Sequence, residues 1–385
     1  MNDAPEFIIE PRKSPAQWDE QFLRFAIRIG MRNAGLTWPN PSVGAVVVST
    51  GTADTPEILG LGITQPGGRP HAERMLLERL GERAAGATLY VSLEPCSHQG
   101  KSAPCVDIVI ASGIRRVVAA LRDPDPRVSG RGFAALRAHG IEVVENLLAP
   151  EAAAAHVGHI SRVTRRSPYV TAKLAMSRDG FVGVYGRGSV GISCPRTLDL
   201  VHMWRAKADA IMIGAGTARN DDPLLTVRLP GMENRSPVRV VVDSNLSLAP
   251  DSRLAQTAQS VPVWALCGEP ADRQRAETLT GKGVKILEAR RDGTGHVDIL
   301  HALELLAGEG VTTVFCEGGP TLLTSMFRSG AVDRFILSSG ATDIGPGGVP
   351  ALNRTMTSIL MESFRCTGTL TVDTDRIRFF ERVGN

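Results

Sequence analysis

Three side chains with metal-binding chemistry occur in the first third of the sequence. His71 is followed by Cys96 and Cys105, and a proline precedes each cysteine. An imidazole and two thiolates suit zinc, and three protein ligands leave a fourth position for a water molecule. Zinc lowers the pKa of such a water toward neutrality. The three residues therefore predict a catalytic zinc site.

Glu73 lies two residues after His71 and is a hard carboxylate beside soft donors. We expect it to move protons between the water and a leaving amine. Two alternatives remain open at this point. One is a closed structural zinc with His98 as the fourth ligand, although Cys96 and His98 are awkwardly close for one ion and Glu73 would then have no role. The other is a site without metal, with two buried cysteines and a surface histidine.

The elements that position these residues can be read from the same region. Val43–Val48 and Ala87–Leu93 are β-branched or apolar runs that predict buried strands. Pro70 and Pro104 stand where helices can begin, because the first helical turn does not need the missing N–H. Helix N-termini favour the thiolate form of cysteine. Strands and helices alternate at short spacing, which indicates an α/β domain.

The second half of the chain offers phosphate-binding features. Glu317-Gly-Gly-Pro-Thr321 joins a predicted strand to a predicted helix, so its glycines let the backbone approach a phosphate at the positive helix end. Gly214-Ala-Gly216 also follows a strand, but so short a pattern is more often a tight turn. Arg205 and Arg228 could clamp a phosphate as planar, permanently charged forks, or each could form a surface ion pair. We expect a second α/β domain here.

Composition limits the class of protein. The 385 residues include 43 Lys+Arg against 40 Asp+Glu, and so small a positive surplus argues against a nucleic-acid or membrane-surface protein. No apolar run approaches the ~20 residues of a membrane span, and the first residues lack a signal-peptide pattern. Six scattered cysteines suit a reducing cytoplasm. The expected organisation is a flexible tail (1–17), a domain that carries the predicted zinc site (18–147), a linker helix (148–166) and a second domain (167–385).

His-x-Glu followed by Pro-Cys is the signature of zinc nucleobase deaminases, which usually continue as Pro-Cys-x-x-Cys. Here the cysteines are nine positions apart. In this spacing, and in the segments around it, the chain resembles the RibD family, the bifunctional pyrimidine deaminase/reductases of riboflavin biosynthesis. The resemblance extends over about residues 18–380. Its segments are 39–45, 92–101, 123–132, 173–180, 217–228, 242–244 and 317–322.

The resemblance implies an α/β protein with an N-terminal cytidine-deaminase-like zinc domain and a C-terminal dihydrofolate-reductase-like domain. The first would remove the 2-amino group of 2,5-diamino-6-(5-phosphoribosylamino)pyrimidin-4(3H)-one by hydrolysis. The second would reduce the ribosyl group with NADPH to give 5-amino-6-(5-phosphoribitylamino)uracil. One zinc per chain, a small phosphoribosylaminopyrimidine substrate, a cytoplasmic location and a homodimer are also implied, with no nucleic-acid or membrane partner.

The resemblance also implies roles for individual residues. Zinc ligands would be His71, Cys96 and Cys105, with Glu73 as the catalytic proton shuttle. The deaminase substrate would meet Asn40, His98 and Lys101. The cofactor would contact Ala175, Gly191, Thr217, Asp221, Ser244, Gly319, Pro320, Thr321 and Leu322. The reductase substrate would contact Ser189, Arg205, Leu225, Arg228 and Glu317.

Four positions depart from the family pattern. Gly191-Ile-Ser193 stands where Trp-Ile-Thr is common, and Gly340-Ala-Thr342 stands where Ala-Pro-Lys is common, so a ring and a cation are missing. Ala175 replaces a frequent glycine, and Asp125 an asparagine. The alternatives are therefore an active deaminase with a degenerate reductase domain, a zinc nucleobase deaminase with another substrate such as a tRNA base, and a non-catalytic zinc-stabilised protein. A tRNA deaminase would be expected to show Pro-Cys-x-x-Cys and a basic surface.

Overall fold

The computed structural model describes residues 13–49, 56–100, 103–184, 186, 188 and 190–384. The chain forms two compact units. The first contains the described residues up to Asn33 together with Ser42–His156, and the second contains Ala34–Pro41 and the chain from Val157 onward. The short segment Ala34–Pro41 thus groups with the second unit, although it falls within the predicted first domain.

The first unit is a five-stranded sheet, among the described residues, with helices on both faces. Its spatial order is β2-β1-β3-β4-β5, with β1 antiparallel to β2 and β3 and the remaining pairs parallel. The strands are β1 Gly44–Ser49, β2 Glu57–Ile63, β3 Thr88–Val91, β4 Arg116–Ala119 and β5 Glu142–Val144. The helices are α1 Pro15–Gly30, α2 Ala72–Leu80, α3 Cys105–Ala111, α4 Arg131–Ala138 and α5 Ala149–Ala155.

Two apolar cores hold these layers together. Leu76 of α2, Val109 of α3 and Phe133 of α4 are buried on one face of the sheet. Leu23 of α1 and Ala152 of α5 are buried in the other core. The packing of α2 and α3 in the first of these cores fixes the starts of both helices, where the predicted zinc ligands lie.

The second unit is built on a nine-stranded sheet, counted over the described residues, in the order β11-β10-β9-β8-β12-β6-β13-β16-β15. In this spatial order, the strands from β11 through β6 to β13 are all parallel, and β16 and β15 add an antiparallel edge. A separate pair joins β14 to β7. The strands are β6 Tyr169–Met176, β7 Phe181–Val184, β8 Ala210–Gly214, β9 Val238–Val242, β10 Val263–Gly268, β11 Val284–Ala289, β12 Thr313–Cys316, β13 Arg334–Ser339, β14 Gly348–Pro350, β15 Phe364–Val372 and β16 Asp375–Arg382.

Helices cover this sheet over a large apolar core that includes Leu303, Leu323 and Phe335. They are α6 Val157–Arg165, α7 Pro195–Arg205, α8 Ala215–Asp221, α9 Arg253–Gln256, α10 Arg273–Thr280, α11 Ile299–Gly308, α12 Pro320–Arg328 and α13 Arg354–Ser363. Both units are therefore mixed α/β structures, as expected from the sequence.

The predicted single linker helix is wrong. Two helices, α5 and α6, are separated at His156, whose φ of −110° and ψ of 19° do not continue a helix. The His156 imidazole is buried and lies 3.2 Å from the Ser92 hydroxyl, so the break directs this side chain into the first unit.

The N-terminal tail is shorter than predicted, because α1 begins at Pro15 with a capping box formed by Ser14 and Gln17. Residues 1–12 lie outside the described residues.

Candidate active sites

The three predicted zinc ligands converge at two helix starts. His71 is the N-cap residue of α2, Cys105 is the first residue of α3, and Cys96 lies in the loop that follows β3. The ligand atoms His71 Nδ1, Cys96 Sγ and Cys105 Sγ all lie within 4.8 Å of one another. Three residues that are distant in sequence therefore form one cluster.

The geometry of this cluster fits zinc. The His71 Nδ1 atom lies 3.6 Å from Cys96 Sγ and 3.4 Å from Cys105 Sγ. Tetrahedral zinc, with sulfur at ~2.3 Å and nitrogen at ~2.05 Å, separates such donors by about 3.6 Å. The opposite ring nitrogen, Nε2, is buried and has no hydrogen-bond partner among the described residues. His71 thus presents Nδ1 to the two sulfurs.

The two cysteines are electrostatically unequal. Hydrogen bonding with Cys105, reinforced by His71, lowers the pKa of Cys96 to about 4. The same bond, together with burial, raises the pKa of Cys105 well above its usual value. The Cys105 backbone N–H also donates to Cys96 Sγ over 3.3 Å, which is a helix-start contribution to the thiolate.

Glu73 lies in the first turn of α2 and is buried beside the cluster. Burial raises the pKa of its carboxyl group to about 7, while the facing His71 imidazole acts in the opposite direction. A carboxyl group that titrates near neutrality suits proton transfer. A three-ligand cluster and a buried carboxylate beside it are the arrangement expected from the sequence.

Glu94 is a supporting residue to which the sequence analysis assigned no role. Its buried carboxylate accepts hydrogen bonds from the backbone N–H groups of Gly130 (2.9 Å) and Gly132 (3.0 Å), and from two others nearby. A Cβ at Gly132 would lie 2.3 Å from the Pro95 carbonyl oxygen. The loop that precedes α4 is thus fastened to the loop that carries Cys96. An acidic residue two positions before a predicted metal ligand was the signal that the sequence offered.

The predicted substrate contacts of the deaminase have different outcomes. His98 is half-buried two residues after a cluster ligand, and its Nδ1 has no hydrogen-bond partner among the described residues. Asn40 lies in the segment that groups with the second unit, and its N–H donates to the Thr37 carbonyl. Lys101 lies outside the described residues. His98 is not among the residues whose ligand atoms cluster, so the closed four-ligand site has no support in the described geometry.

In the second unit, the predicted cofactor residues collect at one edge of the sheet. Ala175 is near the carboxyl end of β6, Thr217 follows β8, Ser244 follows β9 and Gly319 follows β12. These strands are parallel, so their carboxyl ends lie at the same edge. Ligands of such sheets bind outside the carboxyl ends of the strands. The sheet therefore brings these residues to the edge where a ligand is expected.

The glycine turn after β12 is tightly packed. A Cβ at Gly318 would lie 2.9 Å from Leu322 Cδ2, and one at Gly319 would lie 3.3 Å from Thr217 Oγ1. Gly319 is the N-cap residue of α12, and Pro320 occupies its first turn. Glycine at these positions lets the starts of α8 and α12 approach each other, which leaves backbone N–H groups at a helix start for a phosphate.

Arg205 and Glu317 form an ion pair that the sequence did not predict. Arg205 Nε and Nη2 donate to the two carboxylate oxygens over 2.6 and 2.9 Å, and the side chains are only 12% and 15% exposed. Although burial opposes it, Arg205 holds the pKa of Glu317 below its usual value. Two donors of the Arg205 fork are thus engaged by Glu317, whereas a surface pair or a free phosphate clamp was expected.

The remaining predicted reductase contacts lie around this pair or apart from it. Arg228 is largely exposed. Partial desolvation of its guanidinium, together with the nearby Arg205 charge, lowers its pKa. Leu225 is buried, with a positive φ of 55°. Asp221 ends α8 on the surface, and Gly191 is exposed, with open space where a Cβ would lie. Ser189 lies outside the described residues.

Two further charged groups near the pair had no assigned role. Lys173 on β6 is buried, and desolvation lowers its pKa while Glu317 opposes the shift. His202 on α7 has a buried Nδ1 with no partner among the described residues, and burial and the Arg205 charge lower its pKa. Lys173 could be noticed in the sequence, because it begins one of the segments that resemble the family. The signal for His202 was only its position three residues before Arg205 on the same helix.

Two protein-family models match the chain. The cytidine and deoxycytidylate deaminase zinc-binding region matches residues 16–121, and the RibD C-terminal domain matches residues 168–375. Among curated proteins, the riboflavin biosynthesis protein RibD of Aquifex aeolicus is 36% identical over 329 residues, covering 86% of this chain and 88% of the relative. RibD of Escherichia coli is 36% identical over 330 residues, covering 83% and 86%.

Solved structures agree along nearly the full length. Acinetobacter baumannii RibD aligns with a TM-score of 0.84 at 28% identity, over 96% of this chain and 100% of the other. A diaminohydroxyphosphoribosylaminopyrimidine deaminase/5-amino-6-(5-phosphoribosylamino)uracil reductase of Thermotoga maritima aligns with a TM-score of 0.80 at 30% identity, over 96% and 100%. With both domains matched in order and relatives 36% identical over most of their length, this chain belongs to the RibD family of riboflavin biosynthesis proteins.

Proposed function

We propose that this chain catalyses two successive reactions of riboflavin biosynthesis, a hydrolytic deamination in the first unit and an NADPH-dependent reduction in the second. The substrate would be 2,5-diamino-6-(5-phosphoribosylamino)pyrimidin-4(3H)-one, and the final product 5-amino-6-(5-phosphoribitylamino)uracil. The observation that carries the proposal is the His71, Cys96 and Cys105 cluster with Glu73 buried beside it, in a chain that continues into a matched reductase domain.

In the deaminase, His71, Cys96 and Cys105 would hold one zinc ion. When bound, zinc supplies a Lewis acid that lowers the pKa of water toward neutrality. The Glu73 carboxylate receives a proton from the attacking water and delivers it to the amino group that leaves as ammonia. Its burial keeps it out of competing surface ion pairs. His98, Asn40 and Lys101 are the proposed substrate contacts.

In the reductase, NADPH supplies the hydride when bound. The Gly319–Leu322 turn and Thr217 would meet its phosphates, with Ala175, Gly191, Asp221 and Ser244 as further contacts. Because Arg205 keeps Glu317 ionised at neutral pH, Glu317 suits accepting hydrogen bonds from the ribose hydroxyls better than donating a proton. Arg228, which is exposed, is the better placed of the two arginines for the substrate phosphate, and Ser189 and Leu225 complete the proposed set.

The remaining proposals concern the setting. No helix in the described part of the chain combines the length and hydrophobicity needed to cross a bilayer. All six cysteines are free, which suits a reducing cytoplasm. The near-neutral charge balance supports a small-molecule substrate and no nucleic-acid partner. A homodimer is proposed on the family resemblance.

The test is a coupled assay on purified protein. The diamino substrate and NADPH are supplied together, and ammonia release and NADPH loss are followed in the same sample. Equal amounts of both would support the bifunctional proposal. Ammonia without NADPH loss would favour the second candidate, a deaminase with a degenerate reductase domain, for which the departures at Gly191 and Thr342 are the observation. The absence of both ammonia release and NADPH loss, in protein shown to hold zinc, would contradict the assigned substrate.

A further inference from the structure

One arginine of the second unit is wholly buried and has no role in the proposed chemistry. Arg239 lies on β9, within the apolar run Val238–Val242, and is 0% exposed. No carboxylate pairs with it among the described residues, and burial alone lowers its pKa to about 10. An unpaired buried charge is costly, so its presence in a strand core requires a compensating set of contacts.

Those contacts go to backbone carbonyls and one hydroxyl. Arg239 Nη1 donates to the Leu224 carbonyl over 3.1 Å and to Thr257 Oγ1 over 2.7 Å. Nη2 donates to the Thr257 carbonyl over 2.9 Å and also to the Val261 carbonyl. One guanidinium thus ties the 257–261 segment to the loop that carries two proposed substrate contacts, Leu225 and Arg228.

This loop is held at alternate carbonyls by three different arginines. Arg253 Nη1 donates to the Asp222 carbonyl over 3.3 Å, Arg239 to the Leu224 carbonyl, and Arg205 Nη1 to the Thr226 carbonyl over 3.3 Å. We refer to Arg253, Arg239 and Arg205 with these three carbonyls as the arginine clamp. Arg239 is its buried centre, whereas Arg253 binds at the exposed end.

The clamp surrounds a strained backbone. Leu225, between the second and third clamped carbonyls, has a φ of 55° although it is neither glycine nor asparagine. A left-handed conformation is strained for such a residue and persists only where its surroundings impose it. Leu225 is also 4% exposed, so packing and the two flanking hydrogen bonds hold it in place. Strain of this kind is concentrated where a precise side-chain or backbone placement is needed.

We propose that Arg239 is a positioning residue of the reductase, which holds Leu225 in its left-handed conformation through the Leu224 carbonyl and thereby aims the Leu225–Arg228 segment at the substrate. This inference rests on the proposed function of the second unit. In this proposal, Arg239 does not itself touch substrate or cofactor. It acts through the clamped loop, so its loss affects substrate binding before it affects the hydride step.

The experiment compares R239K with T257V in the full-length, zinc-loaded protein. Lysine keeps the charge, but its single ammonium group cannot reach four separated acceptors at once. We expect R239K to raise the reductase KM for the deaminated substrate about tenfold, with the KM for NADPH and the rate of ammonia release within about twofold of wild type. T257V removes one guanidinium contact and leaves the one to the Leu224 carbonyl in place. It should lower the melting temperature without the rise in substrate KM.

A second pair of variants tests the strained turn without removing the buried charge. L225V adds a β-branch, which disfavours the left-handed conformation. L246V is the matched control, because Leu246 is also buried with a positive φ of 49° but lies outside the clamp. L225V should raise the substrate KM as R239K does, and L246V should not. This pair decides the matter if R239K yields too little folded protein.

The inference is overturned if R239K leaves the substrate KM unchanged, if T257V raises it equally, or if L246V raises it as much as L225V does. If R239K loses ammonia release as well as reduction, the variant is generally unfolded, and the comparison of L225V with L246V then decides. Wild-type protein that releases ammonia but never oxidises NADPH would instead refute the proposed reductase function, and this inference with it.

Discussion

Glu73 is the residue whose loss is expected to separate the two activities. E73Q keeps the size of the side chain but cannot accept and return a proton, so ammonia release should fall by at least about 10³-fold. Reduction of the deaminated substrate should stay close to the wild-type rate, because the reductase lies in the other unit. Ammonia production and NADPH oxidation are measured separately, and the zinc content of each preparation is determined.

The matched control is E78Q on the same helix. Glu78 is exposed and forms an i,i+4 pair with Arg74 on the surface, so its loss should leave both rates unchanged. If E73Q still released ammonia at the wild-type rate, the proton-transfer role would be wrong. If it lost zinc as well as activity, Glu73 would be a structural support of the metal site.

The buried Arg205–Glu317 pair predicts a pH-dependent stability. The folded-state pKa of Glu317 lies below its usual value of 4.5, so the pair stabilises the fold fully above that pH and less as the pH falls through the lower folded-state value. E317Q leaves a largely buried guanidinium without its carboxylate, at a cost of about 3 kcal/mol near neutral pH. Thermal unfolding of both proteins over a series from neutral to acidic pH should show their difference shrinking below pH 4.5. A constant difference would contradict this assignment.

At the scale of elements, two departures from the family pattern are neighbours in space. A Cβ on Gly340 would lie 2.1 Å from the Ile192 carbonyl oxygen, whereas a Cβ on Gly191 would meet open space. The sequence presented the ring missing at Gly191 and the cation missing at Thr342, two residues after Gly340, as separate losses. The structure joins them, because the loop at Gly191–Ile192 packs directly on the backbone of Gly340.

The same substitution should therefore have opposite consequences at the two glycines. G340A should force the two loops apart, destabilise the second unit by about 1–3 kcal/mol and reduce NADPH binding. G191A should change stability by no more than about 0.5 kcal/mol. Thermal unfolding and fluorescence titration with NADPH check both. Equal behaviour of the two variants would mean that the 190–193 loop is not packed on Gly340 in solution.

Elements differed in how far the sequence could predict them. Buried strands such as β1 and β3 are short apolar runs, and their bounds are close to the predicted Val43–Val48 and Ala87–Leu93. The hairpin of β15 and β16 was not predicted, because β15 is an edge strand with mostly exposed residues and shows little apolar periodicity. The His71 cluster was predictable because its donor types are rare. The Arg205–Glu317 pair joins residues 112 positions apart and depends on strand order, which local patterns do not determine.

At the scale of the whole molecule, the chain carries two chemistries with different requirements. The proposed deaminase site depends on a metal and a buried carboxylate, whereas the proposed reductase site uses a parallel-sheet edge and a buried ion pair. Each unit has its own apolar core, so the packing of the second unit does not depend on the metal cluster of the first. Metal removal should therefore act on one unit alone.

Treatment with a strong chelator should abolish ammonia release, and stoichiometric zinc should restore it. The reduction of the deaminated substrate should continue at its original rate, because no described metal-ligand cluster lies in the second unit. One additional thiol, Cys96, should become reactive toward a thiol reagent on chelation, because its lowered pKa keeps it a thiolate, whereas Cys105 is buried and has a raised pKa. C96S should abolish that gain. Retained ammonia release after complete zinc removal would contradict the metal site. Loss of both activities together would show that reduction in the second unit depends on the metal in the first.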